Sequence, residues 1–342
     1  MQEQFDRLAR EARDKTAAEG HSLDEVPNAS SALAWLADAA ADLPLPGSGG
    51  TQARWSALAA VAGVDVTLGR LFEAHADAIA ILAELDGPAA SPGQRWAVWA
   101  AEGPASTLQA DADGQGWVLH GEKPWCSGAI GATHALVTAD SLRGHSLFAV
   151  AVEDGSVQAD PMSWQATGLT GTATYTASFS GAPATRVGEP GAYLTRPGFW
   201  HGGAGVAAVW WGAACGVAAP LYERALSGKA DAHALAHLGA TEVALVTSAA
   251  LLRETAADID EHPANADSLN ALRVRTAVES AAEAVMHRVG RALGPAPLCQ
   301  DRDHARRVAD LALYIRQSHA ERDLAQVGEL ASQRSAGESK NA

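Results

Sequence analysis

Apolar side chains recur at intervals of three and four positions in the first quarter of the chain, which is the spacing of one helix face. The longest such stripe spans residues 55–85 and contains a single polar member, His75. An Asp-Gly-Pro sequence follows it and ends the predicted helix. A shorter alanine-rich helix is predicted for 31–41. Residues 1–92 are therefore predicted to form a shortened N-terminal helical domain.

The pattern changes in the middle of the chain, where short runs of β-forming residues alternate with glycine-containing turns. Strands are predicted at residues 95–100, 107–112, 116–120, 134–138, 147–152 and 172–179. Short strands at such spacing are typical of small barrels and sandwiches. The middle domain, residues 93–192, is thus predicted to be a β-barrel or β-sandwich.

Helical spacing returns after the strands, in longer segments than before. Helices are predicted at residues 199–226, 232–259, 269–293 and 303–330. Helices of this length joined by short loops usually pack as antiparallel bundles. The chain is therefore predicted to be an α+β multi-domain protein that ends in a C-terminal four-helix domain, residues 193–331. A polar, flexible tail is predicted for 332–342.

Composition and charge narrow the classes of partner. The chain has 342 residues, a formal net charge of −15 and 47% hydrophobic residues. Because its basic residues are scattered, no surface for nucleic acid or for an anionic membrane is expected. The N-terminus lacks a signal-peptide pattern, and no unbroken apolar stretch has the length of a membrane span. A cytoplasmic location is the expectation.

The common metal and nucleotide motifs are missing from the sequence. Cys126, Cys215 and Cys299 are far apart, which indicates neither a zinc knuckle nor a disulfide framework. His233 and His237 have a spacing that allows shared metal binding, but beside alanines on a solvent-facing helix they are more simply read as a surface pair. No metal is predicted. Since glycine-rich phosphate loops are missing as well, a cofactor would need another architecture.

The segment GEKPWCSGA at residues 121–129 carries the most specific signal in the chain. It resembles the Gly-x-Lys-x-Trp-Ile-Thr-Asn-Gly segment of the acyl-CoA dehydrogenase superfamily of flavoproteins. The resemblance implies FAD, with FMN as the alternative. It also implies that Trp125 packs beside the flavin ring, that Ser127 bonds its polar edge, and that Thr170 and Thr172 lie on a second cofactor-facing strand. Without the family, the same segment reads as a core tryptophan and a turn serine in a β-hairpin.

Two further segments extend the resemblance over most of the chain, DVTLGRLFEAH at residues 65–75 and RRVADLALY at 306–314. Members of the family assemble as homodimers or homotetramers through the C-terminal bundle. The aromatic, glycine-rich segment 200–216 suits burial in such an interface. The implied partner is a small-molecule substrate, with an acyl-CoA as the candidate.

The catalytic glutamate of most family members has no counterpart here. Its position falls at residues 317–319 or, in other members, at 204–206, and neither segment contains a carboxylate. The Trp-Cys-Ser-Gly-Ala sequence and two histidines instead resemble flavin-dependent monooxygenases of the superfamily, which implies that His75 and His319 are catalytic. Each histidine also has a plainer reading, as a hydrogen-bonded core residue or as part of a solvated, charge-paired helix face.

The sequence thus predicts a flavin-dependent oxidoreductase that oxidises a CH–CH bond of an acyl-type substrate by hydride transfer to FAD. The alternative is a reduced-flavin-dependent monooxygenase that activates O2, which the missing glutamate favours. A second alternative is a cofactor-free relative that acts as a scaffold or binding protein. The shortened N-terminal third and the missing adenine-binding segment favour that alternative.

Overall fold

The computed structural model describes residues 7, 9–14, 27–103, 106–114 and 116–341, with side chains except at 27–29 and 336–341. The chain forms two compact units. The β unit contains residues 67–199 and the described residues before Pro46, and the helical unit contains 46–66 and 200–341. The four-part division at residues 92, 192 and 331 stays a prediction.

Along the chain, a block of helices is followed by a block of strands and then by a second block of helices. The helices are α1 (Pro27–Ala40), α2 (Thr51–Val64), α3 (Val66–Glu84), α4 (Ala192–Thr195), α5 (Pro197–Leu226), α6 (Ala232–Glu261), α7 (Ser268–Leu293), α8 (Ala296–Gln300), α9 (Arg302–Tyr314) and α10 (Glu321–Asn341). The strands are β1 (Trp96–Trp99), β2 (Gln109–Asp113), β3 (Gly116–Cys126), β4 (His134–Ala139), β5 (Ser146–Ala151), β6 (Val157–Asp160) and β7 (Tyr175–Val187). The last helix includes most of the segment predicted to be a flexible tail.

The strands of the β unit form one curled sheet. Their order is β1-β4-β5-β7-β3-β2 with β6 beside β7, and the neighbours are antiparallel except for β1 and β4. The curl brings the start of β2 to the end of β4, where Ala110 N donates to Asp140 O (2.7 Å). The predicted β-rich middle of the chain is therefore confirmed.

Side chains that alternate along the strands bury both faces of this sheet. One face carries Trp99 and Phe148 in a core of apolar residues from several strands. The other face carries Leu136 and Leu147, which pack with Ile81 of α3. Because both faces are covered, β4 and β5 are buried along almost their whole length rather than alternating between buried and exposed residues.

Three helices of the helical unit begin after an aspartate. The side chains of Asp231, Asp267 and Asp301 accept hydrogen bonds from backbone N–H groups in the first turns of α6, α7 and α9, at 2.8, 2.9 and 3.0 Å. A carboxylate at this position satisfies an otherwise unpaired donor and interacts favourably with the helix dipole. These local signals explain where the helices start.

Helices α2 and α5 of the helical unit pack at very short range through small residues. A side chain at Gly212 would lie 2.6 Å from the Cα atom of Ala59, and one at Gly216 would clash with the backbone of Gly63. Each helix therefore contributes two small residues spaced four apart, and their backbones come nearly into contact. This packing buries the tryptophan- and glycine-rich part of α5 inside the unit, where the sequence had suggested an interface between subunits.

Two predicted helices are each broken in two. The helix predicted for 55–85 is interrupted at Asp65, which is extended, buried and ion-paired with Arg306 of α9. The helix predicted for 303–330 is divided in the structure. Helix α9 ends at Tyr314, a 3₁₀ turn follows, and α10 begins at Glu321. In both places a tertiary contact or a turn overrides a continuous helical pattern.

Several strand predictions also differ from the structure. Residues 170–172 form a 3₁₀ turn, so β7 begins three residues later than the predicted start at 172. Strand β6 was not predicted, because Val157–Asp160 is short and has little apolar content. Strand β3 continues six residues beyond its predicted end at 120, and β7 continues eight residues beyond its predicted end at 179. The remaining predicted strands lie within a few residues of the observed ones.

Two helices are long and apolar enough to cross a membrane by length and composition alone, which the sequence analysis did not predict. In α5 the most apolar window is 72% buried, as in the core helix of a soluble protein. In α6 only 22% of that window is buried within the chain. The outer face of α6 is therefore an exposed apolar surface.

Candidate functional site

The end of strand β3 holds the predicted cofactor residues in the β unit. The pairing of β3 with β7 shifts register between Lys123 and Cys126, and Trp125 in this irregular stretch has a φ of +60°. The turned backbone leaves the Trp125 side chain 51% exposed, whereas Cys126 and Ser127 are buried. The hairpin end thus presents an exposed indole ring two residues before a buried serine hydroxyl.

The indole of Trp125 rests on the loop that follows β1. A Cβ atom at Gly103 would lie 2.8 Å from Pro124 Cγ and 3.4 Å from the Trp125 ring, so only glycine allows this close approach. One residue earlier, Glu102 Oε1 accepts a hydrogen bond from Lys123 Nζ (2.6 Å). Lys123 is fully buried and also donates to Thr138 Oγ1 (2.8 Å). This ion pair, in which the lysine is buried and the glutamate is half exposed, ties the loop to β3.

Ser127 is held on both sides of its backbone. Trp99 Nε1 donates to Ser127 O (2.9 Å), and the next N–H, that of Gly128, donates to Thr172 O (2.8 Å). A side chain at Gly128 would contact Leu33 of α1 and Leu71 of α3 at 3.4 and 3.5 Å. The serine is therefore locked between the sheet and two helices.

The Ser127 hydroxyl is the first member of a chain of side-chain hydroxyls. Thr174 Oγ1 lies within hydrogen-bonding distance of both Ser127 Oγ (2.9 Å) and Thr172 Oγ1 (2.7 Å). Thr172 Oγ1 donates in turn to Leu169 O (2.6 Å). We name Ser127, Thr174 and Thr172 the hydroxyl chain. All three residues are buried, so the chain is shielded from water.

Backbone strain is concentrated around the predicted site residues. Five non-glycine residues of the described chain have positive φ angles. Three of them, Trp125, Leu169 and Ala173, surround the hydroxyl chain, and a fourth, Ala320, follows His319. Such conformations cost about 1–3 kcal/mol each and cluster at functional sites.

The two threonines that the family resemblance placed on a cofactor-facing strand lie instead in the 3₁₀ turn. Thr170 is exposed there. Thr172 is fully buried and reaches Ser127 only through Thr174. Direct cofactor contact by either threonine stays a prediction.

His75 lies on α3 in the β unit and is buried. Its Nδ1 atom accepts a hydrogen bond from the backbone N–H of Trp96 (2.9 Å), which joins α3 to β1. This contact corresponds to the plainer reading of His75 as a hydrogen-bonded core residue. Because Nδ1 is occupied by a donor, any proton transfer would fall to Nε2. The catalytic role of His75 stays a prediction.

His319 belongs to the helical unit, between the 3₁₀ turn and α10. Its ring is exposed and its Nδ1 atom lies 3.3 Å from Asp323 Oδ1. Its backbone N–H donates to Asp323 Oδ2 (3.0 Å). Asp323 therefore holds both the backbone and the ring of His319 at the start of α10. The catalytic role of His319 stays a prediction.

Four residues of the site were not given their roles by the sequence. Trp99, Thr174 and the Lys123–Glu102 pair gain their roles from strand register and turn geometry, which no local pattern reveals. The one available signal was the lysine of the GEKPWCSGA segment, which precedes Trp125 on a strand that is otherwise apolar or exposed.

The remaining reactive groups offer little chemistry. Burial raises the pKa of the Cys126 thiol, so that it stays protonated at neutral pH and is a poor nucleophile. Among the described residues, no group of three or more histidine, cysteine, aspartate or glutamate side chains is placed to hold a metal ion.

The arrangement at the hairpin end fits a planar aromatic ligand with a polar edge. The exposed indole supplies a flat apolar face, and Ser127 supplies a hydroxyl whose inner partner is Thr174. A flavin needs both features beside its ring system. Ser127 carries no charge, so the site would tune such a ligand by hydrogen bonding.

Comparison with known proteins gives matches among solved structures only, since no protein-family model and no curated protein sequence matches the chain. Dibenzothiophene monooxygenase (TdsC) from Paenibacillus sp. A11-2 is 19% identical, over 95% of this chain and 96% of that chain, with a TM-score of 0.77. A complex of TdsC with FMN and indole is 18% identical, over 95% and 96%, with a TM-score of 0.75. A glutaryl-coenzyme A dehydrogenase bound to glutaryl-CoA is 15% identical, over 92% and 90%, with a TM-score of 0.73.

At these identities the likeness is one of fold. It extends over nearly the whole length of this chain and of its neighbours. Both monooxygenases and dehydrogenases are among those neighbours. The chain therefore has the acyl-CoA dehydrogenase-like fold that its sequence predicts.

Proposed function

We propose that this chain is a flavin-dependent oxidoreductase. The observation that carries the proposal is the exposed indole of Trp125 beside the buried hydroxyl of Ser127, with Thr174 behind that hydroxyl. In this role Trp125 packs against the flavin ring and Ser127 hydrogen-bonds its polar edge. Two structural neighbours support the proposal, one bound to FMN and one bound to an acyl-CoA. FAD is the proposed cofactor and FMN the alternative.

Bound flavin would supply the redox chemistry, and the protein would orient and tune it. Lys123 and Glu102 hold the loop that supports the indole, and Trp99 fixes the carbonyl of Ser127. These contacts are buried or partly buried, so they keep the ring face and the hydroxyl in place before the ligand arrives. Preorganised groups of this kind cost little reorganisation when the ligand binds.

Activation of O2 is the reaction that the carboxylate pattern favours. Residues 204–206 and 317–319 contain no carboxylate that could remove a proton from an acyl substrate. Glu321 is exposed in the first turn of α10, and Asp323 is engaged by His319. Hydride transfer from a CH–CH bond, the reaction of acyl-CoA dehydrogenases, is the competing proposal.

The proposed partners are a small-molecule substrate and further copies of the chain. The outer face of α6 carries the exposed aliphatic side chains Leu235, Val243 and Val246, which lie within one arc of the helix. Exposed apolar patches on soluble proteins commonly mark interfaces. We therefore assign the homodimer or homotetramer contact to α6. A cytoplasmic location is part of this proposal.

Flavin uptake by the purified protein tests the proposal directly. The wild-type protein is expected to bind FAD or FMN with quenching of flavin fluorescence, and chromatography of the released flavin identifies which one. Ser127→Ala should still bind flavin but shift its visible absorption band, because the hydroxyl at the polar edge is lost. A wild-type protein that takes up neither flavin would favour the scaffold reading instead.

Rapid mixing separates the two reactions. Chemically reduced, flavin-loaded protein is mixed with O2, and a long-lived oxygen adduct with a blue-shifted band is expected. The competing proposal instead requires oxidised protein to be bleached by an acyl-CoA under anaerobic conditions. Bleaching by acyl-CoA together with immediate reoxidation by O2 would contradict the monooxygenase reaction.

A further inference from the structure

The hydroxyl chain runs inward from Ser127 to a backbone carbonyl. Its oxygen atoms are spaced 2.9 Å from Ser127 to Thr174, 2.7 Å from Thr174 to Thr172 and 2.6 Å from Thr172 to Leu169 O. Each hydroxyl has one hydrogen atom, which it can rotate, and two lone pairs. The three hydroxyl hydrogen atoms can all point inward, towards Leu169 O, or all point outward, towards the ligand side of Ser127.

In the inward direction every contact of the chain is filled. Ser127 donates to Thr174, Thr174 donates to Thr172, and Thr172 donates to Leu169 O. Ser127 Oγ then has only lone pairs left for a ligand, so it acts as an acceptor. This arrangement suits a ligand atom that carries a hydrogen.

In the outward direction the chain also leaves no group stranded. Thr172 donates to Thr174, Thr174 donates to Ser127, and the Ser127 hydrogen is available to a ligand that accepts. Leu169 O loses the hydroxyl of Thr172, but it keeps the backbone N–H of the same residue at 3.2 Å. The reversal therefore costs little, because the terminal carbonyl is satisfied in both directions.

We propose that Thr174 and Thr172 are positioning residues that let Ser127 switch between donating to and accepting from the flavin as its redox state changes. The inference rests on the proposed function. N5 of the oxidised flavin ring accepts a hydrogen bond, whereas N5 of the reduced ring carries a hydrogen and donates. A single serine without an inner partner serves only the first state well.

The surrounding structure keeps the chain aligned. Leu169 and Ala173 adopt left-handed backbone conformations, with φ angles of 55° and 45°, on either side of the turn that carries Thr172. Gly128 N donates to Thr172 O at 2.8 Å, so this turn is joined to the residue that follows Ser127. Hydrogen bonds in such a buried chain polarise and strengthen one another.

Thr174→Val breaks the chain next to Ser127 while preserving side-chain shape. The oxidised flavin can still accept from Ser127, and only a lone pair is left without a partner. With reduced flavin the Ser127 hydrogen must point inward, where valine accepts nothing, and a buried donor is stranded. Reduced flavin should therefore lose about tenfold more affinity than oxidised flavin, which corresponds to a midpoint potential about 30 mV more negative for a two-electron couple.

The test measures the midpoint potential of the flavin-loaded protein and the dissociation constants of oxidised and reduced flavin. Thr174→Ser keeps the hydroxyl and should retain the wild-type potential. Thr176→Val, the same substitution two residues further along, lies outside the hydroxyl chain and should also leave the potential unchanged. In Thr172→Val the donor left without an acceptor is the hydroxyl of Thr174 instead of that of Ser127. This variant should therefore shift the potential in the same direction. It replaces Thr174→Val in the test if that variant does not fold.

A double substitution connects the effect to Ser127. In a Ser127→Ala background, Thr174→Val should cause no further shift, since the group that it controls is gone. Wild-type protein that binds flavin while Thr174→Val keeps the wild-type potential would overturn this inference and leave the proposed function standing. A shift that persists without Ser127 would also overturn it. Failure of the wild-type protein to bind any flavin would overturn both.

Discussion

Trp125 combines two properties that a single residue seldom has together, an exposed aromatic ring and a left-handed backbone. For a bulky residue the left-handed region is costly by about 1–2 kcal/mol. Glu102, Lys123 and Gly103 hold the loop against the ring at this point. The strained backbone leaves the indole exposed, two residues before the buried Ser127, where a ligand can reach it.

Two substitutions at Trp125 distinguish the energetic cost of the strained backbone from the effect of losing the indole ring. Trp125→Ala and Trp125→Gly both remove the indole, but only glycine adopts a φ of +60° without a steric penalty. Urea denaturation should therefore show Trp125→Gly to be more stable than Trp125→Ala by about 1 kcal/mol. Both variants should bind flavin weakly. Equal stability of the two variants would mean that the strain is relieved elsewhere.

His304 gives the protein a pH-dependent stability at the residue scale. It is buried, and burial lowers its pKa, while Asp301 partly opposes the shift and Arg307 adds to it. The unfolded chain, with a histidine pKa of about 6.5, therefore takes up the proton first as the pH falls. The stabilising contribution of neutral His304 is present above that pH and is lost as the pH drops towards the lower folded-state value.

Denaturation of His304→Gln at several pH values tests this dependence. Between pH 7 and pH 5 the free energy of unfolding of the wild-type protein should fall more steeply than that of the variant, by at most about 1.4 kcal/mol per pH unit. His287→Gln, at an exposed position on α7, is the control and should keep the wild-type slope. Parallel curves for wild-type protein and His304→Gln would contradict the assignment.

Single residues of the site were predictable only where a motif named them. Trp125 and Ser127 were identified from the segment that contains them, but the exposure of one and the burial of the other follow from a register shift. Thr174 looked like any other β-branched residue within the predicted strand. Its role depends on two left-handed residues, Leu169 and Ala173, whose types do not predict that conformation.

At the scale of elements, the contact between α2 and α5 depends on residues without side chains. Ala59 and Gly63 on α2 meet Gly212 and Gly216 on α5, and the two backbones leave no room for a methyl group. Close packing of this kind transmits any added volume directly to the backbone. The glycine-rich composition of α5, visible in the sequence, is explained by this contact.

Gly212→Ala should therefore be strongly destabilising. Its new methyl group would overlap the carbonyl of Ala59, and overpacking against rigid backbone should cost about 3 kcal/mol. Gly328→Ala is the matched control, because the space around Gly328 on α10 is open. Alanine there should raise the stability by up to about 1 kcal/mol through helix propensity. Thermal unfolding of the two variants checks both signs, and a neutral Gly212→Ala would refute the close packing.

Element boundaries were less predictable than element types. Hydrophobic spacing continues through Asp65, so a single helix was predicted where the structure has α2 and α3. The interruption coincides with the ion pair of Asp65 and Arg306, which are far apart in sequence. A similar break after Tyr314 places His319 in a connection rather than on a helix. Long-range partners of this kind leave no periodic signal.

At the scale of the whole molecule, the order of helices, strands and helices was predicted from periodicity and is confirmed by the fold. The hydrophobic pattern predicted this order because helices bury one stripe of apolar residues, whereas the sheet buries both of its faces. The exposure of the apolar face of α6 could not be predicted in this way. The most apolar windows of α5 and α6 have the same mean hydropathy, 1.5, yet only that of α5 is largely buried within the chain.

The exposed face of α6 leads to the prediction about assembly. Val246 is 53% exposed and shares a helix face with Gly239, Val243 and Ala250. Burying such an apolar surface away from water lowers the free energy. Val246→Arg would place a charge in the centre of the proposed contact, where desolvation is costly. Sedimentation velocity should show wild-type dimers or tetramers, and the variant should dissociate at least tenfold more readily.

Leu324→Arg provides the matched control for this substitution. Leu324 lies on α10 of the same unit and is equally exposed, at 53%, but it does not belong to the apolar face of α6. Its replacement should leave the mass of the assembly unchanged. If both variants dissociate alike, added charge in general is responsible. If the wild-type protein is already a monomer, the face of α6 requires another partner.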